Sequence, residues 1–212
     1  MKKTTYDTHA RNYDNWYDRN MAVYTSEMEA IRKLMPSGVG KKCIEIGVGT
    51  GRFASKLGIS CGLDPSVSML EISTERKIRC IKGVSESIPV KSSSMELALI
   101  VTGFCLMDAD RTLEEVHRIL APEGFFIIAF VEKNSLLGKK YRKKAPKSRF
   151  YRNVAFRTAE EIISLLEEHE LGDITVMQTL FKPLNLIRRP EEAEKGFGKG
   201  SLIVLRARCK KK

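Results

Sequence analysis

Cys43-Ile44-Glu45-Ile46-Gly47-Val48-Gly49-Thr50-Gly51-Arg52-Phe53-Ala54 is the stretch that decides the fold. A short apolar run carries one acid. Glycines then stand at three alternate positions, and an amphipathic segment begins. This reads as a strand, a tight turn and the start of a helix. Glycines let a backbone approach a ligand closely and adopt positive φ. The first turn of a helix offers unpaired N–H groups and partial positive charge to an anion. A dinucleotide-binding G-x-G-x-x-G would need a glycine where this chain has Arg52, and no P-loop Lys-Ser/Thr follows. The spacing is G-x-G-x-G.

Working outward, strands and helices alternate. Residues 41–46, 61–64, 78–82, 97–101 and 125–131 read as strands one to five. The runs 97–101 and 125–131 are so continuously apolar that both faces of those strands should be covered. Between them, Phe53, Ala54 and Leu57 give one helix an apolar face, and Gly58 closes it. Pro65-Ser66 opens another helix. Leu113, Val116, Ile119 and Leu120 mark a third, and Ile162, Ile163, Leu165 and Leu166 a fourth. Ser26-x-x-Glu29, Thr112-x-x-Glu115 and Thr158-x-x-Glu161 match the capping-box pattern and are read as helix starts. Residues 174–181 and 201–207 read as a hairpin-like pair. The alternation predicts a doubly wound, Rossmann-like α/β sheet. In such sheets ligands bind outside the carboxyl ends of the strands, where the strand order reverses.

Asp64 ends the second strand. A carboxylate there can accept hydrogen bonds from two vicinal ribose hydroxyls, or can be an ordinary acid near a helix N-terminus. The same arrangement serves NAD enzymes, so Asp64 alone does not name the ligand.

From residue 41 to 131 the sequence resembles the type 11 family of class I S-adenosylmethionine (SAM)-dependent methyltransferases. Four blocks carry the resemblance. They are Glu45-x-Gly47-x-Gly49-x-Gly51, Gly62-Leu63-Asp64-Pro65-Ser66-x-x-Met69-Leu70, Gly83-Val84-Ser85-Glu86-Ser87-Ile88-Pro89 and Arg118-Ile119-Leu120-Ala121-Pro122-Glu123-Gly124-Phe125. The leader Tyr6-Asp7…Ala10…Tyr13-Asp14-x-Trp16 resembles that family's N-terminal lid. The resemblance implies a seven-stranded, mostly parallel sheet with one antiparallel strand. It also implies a single domain, with residues 1–37 as a helical lid over the SAM-binding unit 38–212. SAM would be the cofactor and S-adenosylhomocysteine the product. Gly47, Gly49 and Gly51 would line the methionine end, where Glu45 suits the ammonium. Asp64, beside Pro65, would hold the ribose. Met69, Ser85 and Glu86 would flank the adenine, and Thr102 would lie beneath the sulfonium. Val84 departs from relatives that carry an acid there. The apolar loop Thr102-Gly103-Phe104-Cys105-Leu106-Met107-Asp108 departs from relatives that carry a histidine.

Composition suits one globular unit: 212 residues, 42% hydrophobic and 30% charged. No apolar run approaches the roughly 20 residues of a membrane helix, and the N-terminus has no apolar signal core. The expected location is therefore the cytoplasm. The five cysteines are scattered singly, with no metal-binding spacing and no disulfide framework.

A sulfonium methyl is already electrophilic, so a general base is needed only where the nucleophile must lose a proton. No residue is assigned as catalytic; His9 and Tyr13 of the leader are candidates. Tyr13, Trp16, Tyr17, Phe104, Cys105 and Met107 are candidate walls of an acceptor pocket. His117 and His169 are read as structural or solvated. Net charge is +11, and residues 139–152 carry eight basic residues and no acid. That segment reads first as a solvated insertion, and otherwise as a contact for nucleic-acid phosphates. The expected function is methyl transfer to a small molecule. The alternatives are an RNA or protein methyltransferase using 139–152, or a SAM-binding regulator without turnover.

Overall fold

A computed structural model describes residues 5–37, 42–148 and 154–211. Two helices come first, α1 (Thr5–Arg19) and α2 (Met21–Leu34). Strands β1 (Cys43–Ile46), β2 (Cys61–Asp64), β3 (Arg79–Lys82), β4 (Met95–Val101) and β5 (Leu120–Val131) then alternate with α3 (Arg52–Leu57), α4 (Val67–Glu75) and α5 (Ala109–Ile119). Beyond β5 lie α6 (Leu136–Lys144), α7 (Ala159–Glu168), β6 (Leu171–Thr179), β7 (Glu194–Lys195) and β8 (Leu202–Cys209).

The sheet order is β3-β2-β1-β4-β5-β8-β6-β7, with β1 to β5 parallel to one another. The order reverses between β1 and β4, which makes the end of β1 the switch point. β8 runs antiparallel between β5 and β6. The sheet has eight strands rather than the expected seven. Glu194 and Lys195 add an antiparallel edge to Gln178 and Met177 of β6. Two residues between a proline-bearing loop and a glycine turn leave no periodic trace in the sequence.

β4 shows why its sequence is so apolar. Leu97, Leu99 and Val101 face a core shared with α2 and α3, through Ile31, Phe53 and Ala54. Ala98 and Ile100 face the other core, with Leu113, Val116 and Ile119 of α5 and Ile162 and Leu166 of α7. Strand alternation therefore feeds two hydrophobic layers at once.

Of the three capping-box patterns, one holds as a cap. The Thr158 hydroxyl accepts the Glu161 N–H at 3.2 Å, and the Glu161 carboxylate accepts the Thr158 N–H at 2.8 Å. Ser26 instead lies buried inside α2. Its hydroxyl donates to the Ala22 carbonyl and accepts the Glu191 N–H. Thr112 lies inside α5, hydrogen-bonded to the Ser85 hydroxyl at 2.9 Å, and Asp108 caps that helix. Serine and threonine make such bonds from helix interiors as well as from caps.

The leader is one helix broken at His9, whose φ and ψ are −126° and 18°. α1 lies across α4, with Ala10 and Tyr13 against Met69 and Ile72. α2, also placed in the expected lid, is a core helix: Ala30 and Ile31 are fully buried. The first part of the basic segment is α6, which exposes Lys139, Lys140, Arg142, Lys143 and Lys144 and buries Leu137. Arg149, Phe150, Tyr151 and Arg152 lie outside the described residues. No helix among the described residues is long and apolar enough to cross a membrane.

Candidate active site

The site is built where β1, β2 and β4 end. After Ile46 the chain turns back on itself, and the Gly47 and Val48 amides donate to the Leu63 carbonyl at 2.7 and 3.0 Å. Gly47, Gly49 and Gly51 all have positive φ, at 72°, 52° and 77°. A side chain at Gly47 would press on the Met107 methyl at 3.0 Å, and one at Gly51 would strike the Ser73 hydroxyl of α4 at 2.5 Å. The turn thus leaves room on one side and packs tightly on the other. Asp64 fixes its shape, accepting the Gly49 N–H at 2.9 Å and the Ser66 N–H at 2.8 Å.

Against this turn lies a cavity of about 260 Å³. Gly47, Gly49, Asp64, Pro65 and Met69 line it from one side, and Ser85, Glu86 and Thr102 also reach it. Glu45 and Gly51, expected beside them, stand behind the turn. The Glu45 carboxyl is 2% exposed, and burial raises its pKa to about 8; the Ala54 amide opposes the rise and Asp64 adds to it. Among the described residues its Oε2 has no hydrogen-bond partner. Val84 lines the cavity as an exposed apolar side chain.

A second cavity, of about 430 Å³, adjoins the first. Tyr13, Thr102 and Leu106 line both. Of the expected acceptor-pocket residues, Tyr13, Trp16, Tyr17, Phe104 and Cys105 line it, as does His9. Met107 stands in the smaller cavity instead. A short 3-10 turn, Phe104–Leu106, sends Phe104 one way and returns Met107 toward Gly47 and Gly103. Thr102 itself has a φ of 52°, uncommon for a β-branched residue. The Cys105 thiol donates to the Thr102 carbonyl, and burial pushes its pKa up to about 11, so it is an unreactive thiol. His117 and His169 lie elsewhere, their Nε2 atoms 3.6 and 3.4 Å from the carboxylates of Glu170 and Asp110.

Two features escape the sequence patterns. The first is the attachment of α1. Arg52 donates to Asp14 at 2.8 and 2.9 Å and to Asp18 at 2.7 and 2.6 Å, and Arg76 donates to Asp14 at 2.9 Å. Burial alone would raise the Asp14 pKa; hydrogen bonds from Arg52, Thr50 and Arg76 outweigh it and bring the carboxyl down to about 2. The second is Glu27 of α2, which lines the larger cavity yet is 6% exposed. Burial raises its pKa to about 8. Its sequence signal is an acid on the buried stripe of α2, four residues after Val23 and four before Ile31.

These carboxyls set a pH dependence. Glu27 and Glu45 ionise more readily unfolded than folded, so their contribution to stability is whole below about pH 4.5 and is lost as pH rises toward 8. Asp14 acts in the opposite sense, its contribution being present above about pH 3.8 and lost as pH falls toward 2. The unfolding midpoint is therefore expected to fall between pH 5 and 8, and Glu45→Gln should flatten that slope. A thermal melt series against pH checks this; a wild-type midpoint that rises over the interval refutes the burial argument.

The comparisons agree with this geometry. Residues 44–128 match the model of a methyltransferase domain family. Over 203 residues the chain is 36% identical to an uncharacterized protein of Methanocaldococcus jannaschii, covering 95% of this chain and 97% of that one. A SAM-dependent methyltransferase of Thermotoga maritima, described as a possible histamine N-methyltransferase, is 36% identical. Its solved structure matches with a TM-score of 0.92 over 96% of this chain and 98% of that one. A Haemonchus contortus phosphoethanolamine N-methyltransferase 2 bound to SAM shares the fold at 16% identity, with a TM-score of 0.66 over 95% of this chain and 57% of that one. The chain belongs to the class I SAM-dependent methyltransferases, and SAM is its cofactor. The smaller cavity suits that group. Open glycine backbone, a buried carboxylate and apolar walls at Leu63, Met69 and Val101 stand together in one cleft.

Proposed function

We propose that the protein methylates a small molecule held in the larger cavity. The observation that carries this reading is the junction of two cavities at Tyr13, Thr102 and Leu106, one with the glycine turn and one under α1. In this reading Asp64 accepts hydrogen bonds from the ribose. The Gly47–Gly49 backbone borders the methionine end, and Met69, Ser85 and Glu86 border the adenine. When bound, SAM supplies a sulfonium methyl that leaves a neutral thioether behind. The chain's own part is to align the acceptor with that methyl and keep water out.

The larger cavity is walled by aromatic and aliphatic side chains, among them Trp16, Phe104, Phe130 and Leu137. That lining suits a compact, partly apolar acceptor. The Thermotoga maritima relative's description supports an acceptor of this size. The test is incubation of the protein with methyl-labelled SAM and cell extract, followed by fractionation. Label in the low-molecular-weight pool is the expected result. Label confined to RNA or protein overturns the small-molecule reading, and continued absence of S-adenosylhomocysteine favours a regulator.

A further inference from the structure

Among the described residues Glu27 is the one acid lining the larger cavity, and none of the roles above uses it. Among the described residues no hydrogen bond or ion pair reaches its carboxyl, and burial alone accounts for its raised pKa. A carboxyl held that way lacks the partner that buried charges ordinarily have. It shares the cavity with three rings of α1. Tyr17 meets Tyr13 and Trp16 edge to face, with centroids 5.5 and 5.2 Å apart. The Tyr13 and Tyr17 hydroxyls lie 2.9 Å from each other. Glu27 is near enough to Tyr17 to help raise the phenol's pKa, after burial and Tyr13.

We infer that Glu27 and the Tyr13-Trp16-Tyr17 wall form the recognition site for the acceptor, and that the acceptor is a small amine whose nitrogen meets the Glu27 carboxyl. This rests on the methyl-transfer reading and deepens it. A carboxylate beside aromatic rings is the chemistry that holds a cationic nitrogen out of water. None of the other titratable groups lining the cavity contributes to the Glu27 shift. Arg157 stacks on Phe104, its guanidinium 5.6 Å from the ring centre, and has no share in the Glu27 shift. His9, Tyr13, Tyr17, Cys105 and Tyr141 are the rest. Behind α2, Glu191 is engaged by the Phe181 amide and lies 3.7 Å from Lys182.

Proton balance follows from the pair. An ammonium and a neutral carboxyl bring two dissociable protons, and the bound pair keeps one, so the other passes to solvent on binding. With the remaining proton on Glu27, the amine nitrogen has its lone pair for the methyl carbon. The N–C bond forms as the S–C bond breaks, sulfur keeps that electron pair, and the methylated ammonium leaves. Glu27 ends as it began, a neutral acid.

The test uses the full chain saturated with S-adenosylhomocysteine and three probes: 2-phenylethylamine, 2-phenylethanol, and the trimethylated quaternary ammonium of the same skeleton. Calorimetry should show the amine bound at least about tenfold more tightly than the alcohol at pH 8. Affinity for the quaternary probe, which has no proton of its own, should rise about tenfold per pH unit from 6 to 8 and then level. Glu27→Gln should abolish that pH dependence and weaken amine binding by about thirtyfold, with S-adenosylhomocysteine affinity unchanged. The inference is overturned if the alcohol binds as well as the amine, if no probe binds below about 10 mM, or if wild-type affinity for the quaternary probe is flat with pH. The wild-type comparisons stand even if the variant folds poorly. Failure of the wild-type protein to bind SAM would sink the methyl-transfer reading instead, and leave the amine measurements to judge Glu27 alone.

Discussion

Arg52→Met is expected to release α1 while the sheet stays folded. Arg52 has a side chain only 12% exposed and binds two acids of α1 with both edges of its guanidinium. It also lies over the Tyr17 ring at 5.6 Å. Methionine keeps the apolar stem but supplies none of those donors. Asp18 is exposed and returns to water with little penalty. Asp14 is largely buried and keeps Arg76 at 2.9 Å, so the loss falls short of the 3–5 kcal/mol typical of orphaning a buried charge; about 2 kcal/mol is a fair expectation. The functional loss should be larger. His9, Asn12, Tyr13, Trp16 and Tyr17 reach the larger cavity from α1, and misplacing them by an ångström can lower turnover by about a hundredfold. Limited proteolysis should cut within α1 in the variant and spare it in the wild type, alongside a steady-state assay. Wild-type protease resistance together with wild-type turnover would show that α1 does not depend on Arg52 for its attachment.

Asp64→Ala is expected to weaken SAM binding by about a hundredfold or more, from the loss of two charge-assisted hydrogen bonds worth roughly 1.5–3 kcal/mol each. The structure adds a second consequence. Asp64 also holds the Gly49 and Ser66 amides, so alanine strips one buried and one half-buried N–H group of their acceptor and lowers the melting temperature too. Asp64→Asn keeps one acceptor oxygen and should fall between the two. Calorimetric titration with SAM, paired with melts of each variant, separates the effects. An alanine variant that binds SAM like wild type removes the ribose assignment.

The readable part of this protein lies where neighbours in sequence are neighbours in space. The G-x-G-x-G turn, the apolar run of β4 and the Thr158 cap each involve residues a few positions apart. The attachment of α1 does not: Arg52 reaches back 38 positions to Asp14 and 34 to Asp18. Read locally, Arg52 showed only that a dinucleotide glycine was missing; its partners appear once β1 brings α3 under α1. Ser26 and Thr112 failed as caps for the converse reason, since Ser-x-x-Glu spacing also occurs inside a helix. Glu27 is an acid on the buried stripe of α2, a position the capping-box reading of that segment passes over. Only the cavity beside it turns that oddity into a chemical role.

Thr102 sits where the two cavities meet, in a backbone conformation that its own branched side chain disfavours by about 1–2 kcal/mol. Its amide is nonetheless held by the Ala129 carbonyl at 2.7 Å. Glycine would relax the backbone there, and would also remove one of the three side chains that line both chambers, leaving Tyr13 and Leu106. Backbone ease and cavity shape therefore pull in opposite directions at a single residue. A search for heat-resistant variants would be drawn to a position that lines both cavities.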